Sequence, residues 1–153
     1  MKLLQFVLVA LVFLIPSAHA HEIKIGKLVI HHPWIRQPVS SATVAGAYTK
    51  IDNTGSEDDT LVKVTIDGAP SVQVHDMKME GETMKMSEMN AGLVIRAGKS
   101  VELKPKSSHI MMMGMKSNFM EGQEVKGTFI FAKAGTVAVD FEVVAPSADV
   151  HVH

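Results

Sequence analysis

From His21 onward the chain alternates apolar and polar positions in short runs, and almost every run ends at Gly, Pro, Asn or Asp. Ile23 to Ile30 alternates in part and stops at His31-His32-Pro33. Ala42 to Ile51 reads as a second strand, closed by the turn residues Asp52-Asn53-Thr54-Gly55. Thr60 to Ile66 sets Leu61, Lys63 and Thr65 against Val62, Val64 and Ile66, and Asp67-Gly68-Ala69-Pro70 ends it. Val72 to Met79 and Met84 to Met86 flank Glu80-Gly81-Glu82-Thr83, while Leu93 to Ile95, Ser100 to Leu103 and His109 to Met113 follow as shorter strands. Glu124 to Ala132 and Thr136 to Val144 form a hairpin across Lys133-Ala134-Gly135. No window of about twelve residues carries a helical apolar period. Strand-length runs at intervals of roughly ten residues predict an all-β fold, an antiparallel sandwich or barrel.

The first twenty residues have a different pattern. Lys2 precedes an apolar run from Leu3 to Ile15, and Pro16-Ser17-Ala18-His19-Ala20 ends in a small-x-small signature. This predicts a secretory signal peptide over 1–20, cleaved after Ala20. The run is shorter than the roughly 20 residues that span a bilayer, so no membrane anchor is expected in the mature form. A single domain over 21–145 and a short loose tail over 146–153 complete the expected organisation.

Composition narrows the chemistry. Without Lys2 the chain carries 14 basic against 16 acidic side chains. It has no surplus of positive charge for phosphates, so nucleic acid is not an expected partner. The chain contains no cysteine, which excludes a disulfide framework and thiolate metal sites, blue copper and iron–sulfur clusters included. Methionine is abundant instead: ten of the eleven lie between Met77 and Met120. A single methionine is gap filling in a core, but ten in one stretch need a further reason.

The segment His75-Asp76-Met77-Lys78-Met79-Glu80-Gly81-Glu82-Thr83-Met84-Lys85-Met86 is nearly palindromic about its glycine. A four-residue hairpin loop pairs Met79 with Met84 and Met77 with Met86, and side-chain alternation then puts His75 and all four methionines on one face. His75 is diagonal to Met86 in that register. In the second Met-rich segment, His109, Met111 and Met113 point one way, while Ile110 and Met112 point into the core. Two His/Met pairs brought together make a four-coordinate nitrogen–thioether site. Neutral thioethers are soft donors, poor for magnesium, calcium or zinc and good for Cu(I). Met77, Met79 and Met113 are candidates for a soft apron around such a site. Met89, Met112 and Met120 read as packing, and His31 and His32 as structural.

These segments are similar to those of the periplasmic copper chaperones of the PCuAC family. His75 and Met86 have ten residues between them, and His109-Ile110-Met111 supplies the family's His-x-Met. His32-Pro33-Trp34, Ala45-Gly46-Ala47-Tyr48 and Asn53-Thr54-Gly55 also match in order. The resemblance implies a cupredoxin-like Greek-key β-sandwich and a Cu(I) site made by His75, Met86, His109 and Met111. The gap from Met86 to His109 is twenty-two residues, one longer than the family pattern, which leaves Met84 or Met77 as alternatives to Met86. The resemblance further implies a periplasmic carrier, not an enzyme, that delivers copper towards cytochrome c oxidase subunit II beside a Sco-like thioredoxin-fold partner. Two other readings compete. Cleavage after Ala20 exposes a terminal amine on His21, which with His31, His32 or His151 offers a Cu(II) site of the resistance-protein or oxygenase kind, and His151 and His153 are further Cu(II) candidates. The third reading is a contact module whose methionines act only as surface glue.

Overall fold

The computed structural model describes residues 21–116 and 118–147. The expected signal peptide and residues 148–153 of the expected tail, with His151 and His153, lie outside them. The described residues form eleven strands: β1 (Glu22–Ile25), β2 (Leu28–Arg36), β3 (Val44–Asn53), β4 (Asp59–Ile66), β5 (Ser71–Glu80), β6 (Thr83–Glu88), β7 (Leu93–Ile95), β8 (Ser100–Leu103), β9 (His109–Met113), β10 (Glu124–Phe131) and β11 (Gly135–Val144). They pair in the order β6-β5-β9-β3-β2-β11-β10-β4-β7, with β1 added to β2 and β8 to β3. The sheet folds over a single apolar core as an all-β, cupredoxin-like sandwich. Every pair is antiparallel except β2 with β11, where Trp34, Ile35 and Arg36 run parallel to Glu142, Val143 and Val144.

The alternation that predicts the strands also fills the core. Ile30, Ile35, Ile51, Leu61, Ile95, Leu103, Ile110, Met112, Phe129 and Phe141 are fully buried. Phe129 meets Phe141 edge-on at 5.7 Å between ring centroids, a favoured aromatic geometry. Met112 packs here as expected and Met89 lies against the core, but Met120 is exposed, so its reading as packing is corrected. In the same loop Met115 and Phe119 are buried instead.

Two local readings also change. The run Ile23–Ile30 is a hairpin rather than one strand, with Ile25 paired to Leu28 across Gly26-Lys27. The second strand does not end at Pro33. His31 pairs with Lys50 and Trp34 with Tyr48, so His32 and Pro33 together face one residue of β3. His32 takes φ +39° at this bulge. Proline lacks a ladder donor and is tolerated at a bulge. The bulge also resets alternation, which turns Trp34 to the outer face while Ile35 enters the core.

Candidate metal centre

Strand β5 pairs with β6 on one side and with β9 on the other. The hairpin register is the expected one, with Met77 opposite Met86 and Met79 opposite Met84. The loop is shorter than expected: Glu80 also pairs with Thr83, leaving Gly81-Glu82 as the turn. Gly81 adopts φ +65°, a left-handed conformation available to glycine at little cost. Across the other edge, His75 pairs directly with His109, and Gln73 with Met111. Val74, Ile110 and Met112 point inward and are buried, so His75, His109, Met77, Met86 and Met111 share the outer face.

The two imidazoles lie 5.8 Å apart between ring centroids, tilted by 53°. His109 is 7 % exposed. Its Nδ1–H donates to the Ser107 carbonyl oxygen at 2.7 Å, which leaves the Nε2 lone pair for a ligand. The Nε2–H of His75 donates to Gln73 Oε1 at 2.8 Å, and its Nδ1 is buried without a hydrogen-bond partner. A buried acceptor without a donor is costly, and a cation that accepts its lone pair removes that cost. Second-shell carbonyls that fix the tautomer in this way are typical of metal-binding histidines. Burial holds the His75 imidazole below its ordinary pKa; the charge of His109 adds to this and Glu88 opposes it. Both effects that lower it keep the ring in the neutral form a metal requires.

Three thioethers flank the histidine pair. Met77 and Met86 occupy the next register position towards the hairpin tip, and Met111 the next position on the other side. The register thus puts all four residues of the expected site and also Met77 on one face, with Met86 and Met111 on opposite sides of the histidine pair, while Met84 lies one pair further out. Met113 shares the outer face at the far end, opposite Ser71. Sequence reading missed three contributors. Gln73 and the Ser107 carbonyl orient the rings, and Glu88 stands in β6 directly across from His75. Two-residue spacing from His75 was the available signal for Gln73; Glu88 became visible only once the hairpin was counted through to its sixth pair.

An aromatic wall closes the site on the β3 side. Gly46 pairs with Met111, and a Cβ on Gly46 would stand 2.7 Å from Tyr48 Cζ. The Tyr48 ring therefore lies over Gly46, beside the Met111 position. Trp34 stacks on Tyr48 at 4.4 Å and the Arg36 guanidinium sits 5.7 Å from the Trp34 ring centre, a cation–π arrangement. Burial raises the Tyr48 pKa, against the charge of Arg36, so the hydroxyl stays protonated.

Among the described residues, His31 and His32 have side-chain partners away from this site. His31 lies 3.2 Å from Glu22 and 2.8 Å from Asp52, and His32 lies 2.6 Å from Glu142. Both therefore have the structural partners expected of them. Exposed His21 contributes its carbonyl oxygen to the backbone N–H of His32. Among the described residues no group of three or more His, Cys, Asp or Glu side chains converges as a metal cage.

A β-sandwich with a histidine pair and thioethers on its outer face defines a class of soft-metal-binding cupredoxin-like domains. The chain belongs to the LpqE-like, PCuAC-type family, whose model ("Putative lipoprotein LpqE-like") matches residues 28–143. It is 31 % identical over 124 residues to "Putative lipoprotein Lxx21020" of Leifsonia xyli subsp. xyli, covering 81 % of this chain and 70 % of that one. Among solved structures, the apo PCuAC domain from PmoF1 matches with a TM-score of 0.71 and 29 % identity, over 82 % of this chain and all of that one. The copper-bound PCuAC domain from PmoF2 matches with a TM-score of 0.70 and 28 % identity, over 82 % of this chain and 99 % of that one.

Proposed function

We propose that the protein is a carrier that takes Cu(I) as its cargo on His75, His109, Met111 and Met86 and hands it to an acceptor. The observation that carries this reading is the paired histidines, each with one nitrogen tied to a carbonyl oxygen and the other available, flanked by methionines on the same face. Family membership and the copper-bound state of the PmoF2 domain support it. The donors are neutral, which suits a monovalent soft ion better than a divalent one.

Exposure gives the site a direction. His109 is the buried anchor, whereas Met86 is 49 % exposed. An incoming thiolate displaces the exposed thioether first, and the buried imidazole releases last. Each step exchanges one ligand for another, so the ion is never bare. The family resemblance extends this to cytochrome c oxidase subunit II as the final acceptor, with a Sco-like thioredoxin-fold protein as intermediary, in the periplasm of an exported protein. The relative from Leifsonia is named a lipoprotein, but this sequence contains no cysteine and therefore no attachment point for a cysteine-linked lipid.

Cu(I) titration against a colorimetric chelator tests the reading. His75→Ala combined with Met111→Ala removes two of four ligands, and the expected loss of affinity is at least about 100-fold, on the scale of 10- to 100-fold for disturbing even an outer-shell partner. X-ray absorption on the loaded protein should report both nitrogen and sulfur neighbours. Unchanged affinity in the double variant refutes the assignment.

A further inference from the structure

The tip of the β5–β6 hairpin lies beyond the site just described, and its composition is not explained by that site. Met79 is 60 % exposed and Met84 50 %. They form a direct cross-strand pair, and Met77, two residues from Met79 on the same face, is diagonal to Met84. Every residue of β6 is exposed, and β6 is an edge strand. A half-exposed apolar face on an edge is an aggregation liability that proteins usually blunt with charge. Here the charged residues are on the reverse face, where Lys78 pairs with Asp76 and Lys85 with Glu80. Met112 and Met115, which pack in the core, are 0 % and 4 % exposed, and Met89, packed against it, is partly buried.

We propose that Met77, Met79 and Met84 form a second Cu(I) site, an all-thioether entry site next to the histidine centre. Side chains directly opposite across a ladder have Cβ atoms about 4.5–5.5 Å apart, and diagonal ones about 7–8 Å apart. The sulfur of methionine lies two bonds beyond Cβ, so three flexible side chains at these positions can converge on one ion. Three neutral sulfur donors select a soft monovalent ion and offer nothing to a hard one. With no imidazole, this site holds the ion more weakly than the histidine centre and does not respond to pH in the imidazole range. Met86 stands between the two: it is the direct partner of Met77 and the diagonal neighbour of His75. An ion taken up at the exposed tip therefore reaches the buried pair by exchange through Met86, one thioether at a time. The inference rests on the Cu(I) reading of the face, but the two sites are separable.

The test is anaerobic Cu(I) titration of the full chain with a competing chelator, combined with the methionine ε-methyl resonances seen by NMR. The native protein should take up two equivalents, the second at least about tenfold more weakly than the first. The double variant Met79→Leu, Met84→Leu keeps exposed apolar side chains of similar volume, a class of change that folds tolerate, and should bind one equivalent at native affinity. His75→Ala with His109→Ala should retain the weak equivalent, with shifts at the Met79 and Met84 methyls and no change in affinity between pH 7.5 and 5.5. A Met79→Leu, Met84→Leu variant that still takes two equivalents overturns the second site. So does a native protein saturated by one ion with Met79 and Met84 methyls unmoved. A histidine double variant with native tight binding would instead overturn the histidine centre while leaving the tip site standing.

Discussion

Replacing Gly46 by alanine puts a methyl group where the Tyr48 ring lies. The new Cβ would stand 2.7 Å from Tyr48 Cζ and 3.2 Å from Cε2, with the hydroxyl oxygen nearer still. The backbone cannot easily retreat, because β3 is bonded to β2 and to β9 on its two edges. The ring must swing away, and it is 9 % exposed and stacked on Trp34 at 4.4 Å. Losing the ring pair costs about 0.5–1.5 kcal/mol, and forcing a methyl into a packed site costs about 1–3 kcal/mol. Alanine recovers about 0.5–1 kcal/mol through the smaller entropy of its unfolded chain. The net expectation is a loss of about 1–3 kcal/mol. Urea unfolding reads it cleanly, since Trp34 is the single tryptophan and sits in the affected contact. The control is a double-mutant cycle with Tyr48→Ala, which removes the ring and with it the clash. Gly46→Ala should be neutral or slightly stabilising in that background. If it costs as much without Tyr48 as with it, the account of Gly46 as a cradle for the ring is wrong.

Two further outcomes follow from the same contacts. Because burial and the His109 charge hold His75 below the ordinary imidazole pKa of about 6.5, its NMR titration in metal-free protein should have its midpoint under that value. The sign for stability follows: the native state disfavours the protonated ring, so His75's contribution is fully present above pH 6.5 and declines as pH falls from there through the native pKa. His109→Ala should raise the His75 midpoint, and a native midpoint at or above 6.5 would refute the reasoning. At the opposite end of β3, buried Asp59 accepts backbone N–H bonds from Thr60 at 2.7 Å, Lys133 at 2.9 Å and Ala134 at 2.8 Å. Asp59→Asn turns an amide group towards one of these donors and should lower stability by about 2–3 kcal/mol, read as a drop in the urea midpoint at constant slope.

The strands were legible because burial on one face writes a period of two into the chain. The hairpin register followed from the same alternation, and with it the shared face of His75, Met77, Met79, Met84 and Met86. Where local signals and tertiary pairing disagree, the sequence misleads. His31-His32-Pro33 reads as a strand end because proline forfeits a ladder bond, yet pairing of Trp34 with Tyr48 carries β2 past it at the cost of one bulge. The phase shift between Ile25 and Leu28 was visible in the sequence and marked a turn. The parallel pairing of β2 with β11 left no local trace, since nothing in either segment encodes its partner's direction. The roles of Glu88, Gln73 and the Ser107 carbonyl depend likewise on which strands lie beside β5.

The placement of the site on the outer face has a physical reason. A donor set inside the core would be harder to open, and an acceptor could not displace ligands one by one. A set fully in solvent would leave imidazoles free to protonate and rotate. The outer face beside the Trp34–Tyr48 wall lies between these limits: His109 is buried and tied to Ser107, while Met86 and the hairpin tip remain open. The single carbonyl contact on each ring then matters more than the ring's position alone. Without it either nitrogen could carry the proton, and half of the orientations would present N–H to the ion. On the reading proposed above, the fold fixes the donors' chemistry at the buried end and leaves the thioethers at the open end free to exchange, as handing an ion to an acceptor requires.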